Sequence, residues 1–289
     1  MQLHCTVARH GLLNNSLALP VRTGGDCRAA VYRNQLFCTF VDEVEPNRVC
    51  YVSRLARGGW SGSIDVGCEG YQGTPAIFTF KDSLYILAGG DFSGRELAAS
   101  PKLARYDDSR QSFTVEDFGI NFQGTPALVE YKQALYLFYR ARQGGELRWS
   151  RSEDLKAWSA SEPVLLDGVE PLLSYLDPVA CVYQGLIRLF HDQPIGVAQL
   201  RFDGDRGWSR SRPLVTKRFD SPPAVVVHDG LLTLACTMPT GRNLDTDLYL
   251  YRYDGNALGL ADISFNLQAA GPVTAGVLEG ELYLIYRAV

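Results

Sequence analysis

Asp26, Asp177 and Asp220 each stand just before a short apolar segment of this chain. Carboxylates gathered from separate segments supply what glycosidic bond cleavage needs, one as the acid and another as the base or nucleophile. Arg140 and Arg287 follow the apolar segments of other copies, with Arg142 close behind Arg140. A guanidinium grips a carboxylate through two parallel bonds, so these arginines suit an anionic group of a ligand. His191 adjoins Asp192 and is one of four histidines, which makes it the candidate proton carrier. Gln72 and Gln123 precede two further copies and add amide donors and acceptors. The catalytic candidates are therefore Asp177, Asp220 and His191. The candidates for holding a ligand are Asp26, Asp192, Arg140, Arg142, Arg287, Gln72 and Gln123. Taken singly, each Asp or Arg has a competing structural role as a turn cap or a solvated ion pair.

The segments that carry these residues are copies of one unit. Gly73-Thr74-Pro75-Ala76-Ile77 and Gly124-Thr125-Pro126-Ala127-Leu128 match position for position, as do the strands that follow them, Leu84-Tyr85-Ile86-Leu87 and Leu135-Tyr136-Leu137-Phe138. Looser copies begin at Cys27, Pro178, Pro223 and Val273. The copies recur about every 50 residues, the period of a propeller blade. Each reads as an apolar strand, a tight polar turn and a second strand rich in Leu, Tyr and Phe, which is a hairpin signal. Continuous apolar runs suit strands covered on both faces by neighbouring sheets. The expectation is an all-β, six-bladed β-propeller with four-stranded antiparallel blades, forming a single domain over residues 1–289. The sixth hairpin ends two strands short, so the N-terminal strand over Gln2 to Arg9 is expected to close the last blade and remove its exposed edges. In such a ring, loops entering the inner strands and leaving the second strands share one face. All the candidate residues map to that face, at the mouth of the central channel.

Ser152-Glu153-Asp154-Leu155-Lys156-Ala157-Trp158-Ser159 resembles a short form of the Asp box of the sialidase superfamily. The resemblance implies that Asp154 accepts backbone N–H bonds in a turn and that Trp158 packs between strands, a structural role. Asp203-Gly204-Asp205-Arg206-Gly207-Trp208 is a looser version. The Pro-Ala start and Leu-Tyr strand also look like the repeats of propeller lectins, which implies a sugar ligand. A standard sialidase is not expected, because Asp26-Cys27-Arg28-Ala29-Ala30 lacks the Arg-Ile-Pro motif of that family's first blade. The channel-facing loops differ between copies, which favours one site on the axis over six equivalent ones. Trp60, Trp158 and Trp208 share one turn of the repeat and are assigned to blade packing. Tyr32, Tyr131 and Tyr183 share another position, read as core or channel lining.

The totals exclude several classes. A formal net charge of -4 offers nothing to a nucleic-acid backbone or an anionic membrane surface. No apolar run approaches the ~18 residues of a spanning helix. Seven scattered cysteines without a CxxC pair read as buried free thiols in a reducing, cytoplasmic setting. No signal peptide is recognised at the start. Nucleotide, dinucleotide and zinc-protease motifs are missing, so no cofactor or metal is expected. The leading functional expectation is recognition of a carbohydrate or other polar small molecule at one channel-mouth site. A glycosidase- or lyase-type enzyme on the same face is the alternative, and a protein-interaction scaffold a third. The oligomeric state is not readable from these features.

Overall fold

The computed structural model describes residues 1–9, 12–13, 16–23, 25–41, 49–56, 59–69, 73–89, 100–142, 144–194, 196–204, 207–216, 219, 221–239, 246–264 and 269–288. They form six antiparallel blade sheets arranged as a ring, with a separate two-stranded sheet of Leu165–Leu166 and Glu170–Pro171. Numbering blades from the first hairpin, the innermost strands are Arg28–Tyr32, Ala76–Phe80, Gln123–Tyr131, Val179–Tyr183, Ala224–His228 and Thr274–Leu278. Their partners are Gln35–Val41, Ser83–Ala88, Ala134–Arg140, Leu186–Gln193, Leu231–Pro239 and Glu281–Arg287. No helix occurs among the described residues, so none is long and apolar enough to cross a membrane.

The closing sheet takes three N-terminal strands, Gln2–Arg9, Leu12–Leu13 and Leu17–Arg22, where the sequence led to one. Gln2–Arg9 pairs with Glu281–Arg287, and Leu17–Arg22 then adds outside it. The last of these buries Leu19 and Val21 and exposes their neighbours, the alternation of a half-covered strand. Pro20 falls between them, tolerable on an outer strand where one row of N–H groups has no ladder partner to lose. No single central core exists. Six apolar clusters fill the six wedges between neighbouring blades. Each blade is thus held by its two neighbours, and closure completes the sixth wedge around Leu3, Leu19 and Ile285.

The turns between the first two strands explain how the blades keep register. Two-residue turns of this kind need a positive φ at both central positions. Arg33-Asn34, Lys81-Asp82 and Lys132-Gln133 adopt it without glycine, at φ between 46° and 65°. The residue before each turn is aromatic, and the cation folds back over it. Lys81 and Lys132 each stand 5.3 Å from the ring of Phe80 or Tyr131. Their ammonium groups donate to Glu153 O and Asp203 O of the next blade, at 2.7 and 2.9 Å. The Tyr131 hydroxyl donates to Gly185 O at 2.8 Å, and Tyr183 donates to Gly230 O at 3.3 Å. The repeated tyrosines are therefore staples between blades rather than channel lining.

The Asp-box-like turn has the expected bonding. Asp154 Oδ1 accepts the N–H groups of Lys156 and Ala157, both at 2.8 Å, and these bonds hold its carboxyl below the usual range. The Trp158 ring packs edge-on against Phe118 of the preceding blade. Asp107 and Asp254 make the same turn in blades two and five without a tryptophan.

Candidate functional site

The start of an inner strand and the end of the second strand of the preceding blade meet on one face. At two places this brings an Asp beside an Arg. In blade three the chain enters the inner strand through a bulge between Gln123 and Ala127, with Gly124 at φ 70°. A side chain on Gly124 would meet the Asp177 carboxylate at 2.0 Å, so the glycine makes room for it. Arg140 Nη2 donates to Asp177 Oδ1 at 2.9 Å, and Arg140 Nη1 donates to Tyr175 O at 3.1 Å. Both side chains are largely covered, at 15% and 20% exposure. The buried Arg140 Nε makes no hydrogen bond within the protein.

The second place repeats the first, three blades away. Gly271 leads into the sixth inner strand at φ 133°, and a Cβ there would meet Asp26 Oδ1 at 2.8 Å. Arg287 Nη2 lies 3.6 Å from that oxygen, while Arg287 Nε donates to Ala270 O at 3.0 Å. Arg28, two residues after Asp26, opens the first inner strand and lines the channel. Burial raises the Asp26 carboxyl above its ordinary value, the nearby Arg28 and Arg287 guanidiniums pull it down, and Asp177 pushes it up again. The raised Asp26 carboxyl therefore reflects its burial first, with a small contribution from the second carboxylate. Below the two aspartates the channel holds a cavity of about 140 Å³, lined by Arg28, Pro126, Pro178, Pro223 and Val273 among others.

The other candidates sit differently. His191 is buried, with Nδ1 2.9 Å from Asp192 O and Nε2 3.1 Å from Ser211 Oγ. A carbonyl only accepts, so Nδ1 carries the proton and the Ser211 hydroxyl donates to Nε2. Desolvation lowers the imidazole further, which keeps it neutral at pH 7. His191 does not line the channel cavity, and neither do Asp26, Asp177, Arg140 and Arg287, which stand at the mouth above a mostly apolar lining. The Asp192 carboxylate accepts the N–H groups of Tyr175 and Leu176, at 3.1 and 3.3 Å, and contacts the Ser174 hydroxyl. It anchors the segment leading to Asp177. Gln123 pairs with Arg140 in register, and Arg142 is exposed just beyond the strand end. Gln72 and Asp220 lie outside the described residues.

Residues the sequence did not single out are Arg28, Gly124, Gly271 and Tyr175. A signal for the glycines was present: Gly124 and Gly271 each precede a proline-bearing strand start whose hairpin ends in Arg. Tyr175 lies between blades, where no repeat marks it. Among the described residues no three of His, Cys, Asp and Glu gather as a metal-binding group. All seven cysteines are free, and burial pushes Cys5, Cys181 and Cys236 to about 12, so these thiols stay protonated.

No family model matches the chain, and no curated protein matches it. Solved structures do. An alpha-L-arabinanase of Penicillium chrysogenum, solved with arabinobiose, aligns over 91% of this chain and 93% of its own, with TM-score 0.62 and 12% identity. An exo-beta-1,3-galactanase of Phanerochaete chrysosporium, solved with beta-1,3-galactotriose, aligns over 90% of this chain and 67% of its own, with TM-score 0.57 and 13% identity. At such identity the likeness is one of fold. Neither is a sialidase, so the Asp-box likeness stands as a blade pattern within the wider propeller group.

Proposed function

We propose that the channel mouth binds a carbohydrate, held between the Arg140–Asp177 and Arg287–Asp26 pairs. The opposed pairs carry this reading. A sugar hydroxyl both donates and accepts, and an Asp beside an Arg offers one acceptor and one donor a bond-length apart. Each partner holds the other in place, so little ordering is needed on binding. The cavity of about 140 Å³ is smaller than the ~300 Å³ of an ordinary ligand pocket, which suits one terminal sugar rather than a buried oligosaccharide. The arabinobiose and galactotriose bound by proteins of the same fold support the ligand class. Calorimetry against a panel of arabinose- and galactose-based mono-, di- and trisaccharides tests it. The expected result is binding that Asp26→Asn with Asp177→Asn abolishes. No binding to any member, or binding untouched by the double variant, rejects it.

The upward shift of the Asp26 carboxyl favours a second reading, glycoside hydrolysis. A carboxyl raised by burial is suited to act as the acid, and Asp177, held by Arg140, to act as the base or nucleophile. Reducing-sugar release from the same panel, lost in Asp26→Asn, is the expected result. Turnover that survives both single Asn variants removes these roles. The free, protonated thiols are in keeping with a reducing, cytoplasmic setting.

A further inference from the structure

We propose that Tyr175 is a stacking platform for the second sugar of a chain whose terminal residue occupies the mouth, so that the ligand is a glycan chain end. The inference rests on the carbohydrate reading above and deepens it. Tyr175 is 87% exposed, the most exposed of the large apolar and aromatic side chains among the described residues. Exposed aromatics usually sit on loops free to collapse onto the protein, but this one does not. Its N–H donates to both oxygens of Asp192, at 3.1 and 3.3 Å. Its carbonyl accepts from Arg140 Nη1 at 3.1 Å. Both backbone groups of Tyr175 are therefore fixed by charged side chains, and one of those side chains also holds Asp177. The ring is presented to solvent on a backbone locked to the mouth.

A rigid Tyr gives a large amphipathic contact at low entropic cost, since only two side-chain torsions remain to be fixed. A sugar ring carries C–H groups on its faces and hydroxyls at its edge, so its face covers the aromatic ring while its edge stays in water. Tyr175 is two residues from Asp177, at most about 7 Å along the chain, and it does not line the channel cavity. Leu173, 59% exposed, extends the apolar rim on the same segment. The small cavity and the external platform together assign one subsite within the channel mouth and one outside it.

The test compares chain lengths on the intact protein, using the mono- and trisaccharides of the same panel. Wild type is expected to bind the trisaccharide at least tenfold more tightly than its monosaccharide. Tyr175→Ala is expected to weaken the trisaccharide at least tenfold while leaving the monosaccharide within twofold. Tyr175→Trp is expected to restore the trisaccharide. A wild type that binds mono- and trisaccharide equally overturns the platform and leaves the mouth site standing. So does a Tyr175→Ala variant that weakens both ligands alike, or neither. A wild type that binds no saccharide overturns the carbohydrate reading and the platform with it.

Discussion

Gly124→Ala perturbs the proposed site without removing any of its functional groups. The added Cβ would lie 2.0 Å from Asp177 Oδ1 and 2.7 Å from Arg140 Nη2. Carbon and oxygen need more than 3 Å, so the carboxylate must retreat by about 1 Å or more, and the guanidinium must give way too. The 2.9 Å bond between them does not survive displacement of both ends. Losing one charge-assisted bond of this kind costs about 1.5–3 kcal/mol. A ligand that the displaced pair grips through one such bond would lose about ten- to a hundredfold in affinity. The substitution also forces a non-glycine residue to φ 70°, at about 1 kcal/mol. Gly185→Ala isolates that second effect, because Gly185 has φ 69° and nothing within 4 Å of its would-be Cβ. Gly185→Ala should melt about 2–4 °C below wild type from the backbone effect, and Gly124→Ala lower still because it also loses the Arg140–Asp177 bond. Calorimetry with the strongest saccharide of the panel should then separate them, with only Gly124→Ala losing affinity. A Gly124→Ala protein that binds as tightly as Gly185→Ala would show that the Arg140–Asp177 pair does not touch the ligand.

Three further outcomes follow from the blades and the buried acid. Tyr131→Phe removes the hydroxyl that reaches Gly185 O and Asp203 O, and should lower stability by about 1 kcal/mol in urea melts without altering ligand affinity; an unchanged midpoint would mean the staples between blades carry no weight. Gln133→Gly relieves a side chain held at φ 65° and should stabilise by up to about 1 kcal/mol, less the added freedom of the unfolded chain, so a lower urea midpoint contradicts it. Because the folded-state carboxyl of Asp26 is raised above 3.8, its favourable contribution is present at low pH and lost as pH rises through that raised value. Asp26→Asn should therefore gain thermal stability relative to wild type at neutral pH, with the gain shrinking toward pH 4. An Asp26→Asn variant less stable than wild type at neutral pH would show that the Arg287 pairing outweighs burial.

Fold and site were legible to different depths. The proline-alanine starts and Leu-Tyr strands repeat because each inner hairpin faces the same surroundings, apolar neighbours on both sides. Position-for-position matching therefore located the blades. Asp26, Asp177, Arg140 and Arg287 emerged from the same register, since repeated positions in a ring share a face. Their pairing did not, because it joins the end of one copy to the beginning of the next and no single copy contains it. His191 and Asp192 were conspicuous as neighbours in sequence. In a strand, neighbours point to opposite faces, so one is buried against Ser211 while the other reaches back to the Tyr175 backbone. Sequence alone does not distinguish a carboxylate that faces a ligand from one that fixes a loop. The outer closing strand was hidden for a related reason: Leu17–Arg22 belongs to no copy and shows itself only by the burial of Leu19 and Val21.

A ring of six equal blades has no reason to prefer one diameter over another, so the divergence of the copies must select it. At the position just before each inner strand's first aligned residue stand Asp26, Thr74, Thr125, Asp177, Pro222 and Pro272. The aspartates are three blades apart and mark the two ends of one diameter. One arc between them offers threonines, with Thr125 Oγ1 donating to Thr74 O at 3.0 Å. The other arc offers prolines, which have no N–H to give and present an apolar ring. Thr125 and Pro272 are buried, so the two arcs differ at the surface through half-buried Thr74 on one side and half-buried Pro222 on the other. A sugar ring is polar at its edge and apolar on its faces, and a planar anion or a peptide strand is not polar in that distribution. Under the carbohydrate proposal, the asymmetry of the two arcs, added to the symmetry of the two Arg–Asp pairs, favours a single saccharide on the axis over six ligands around it.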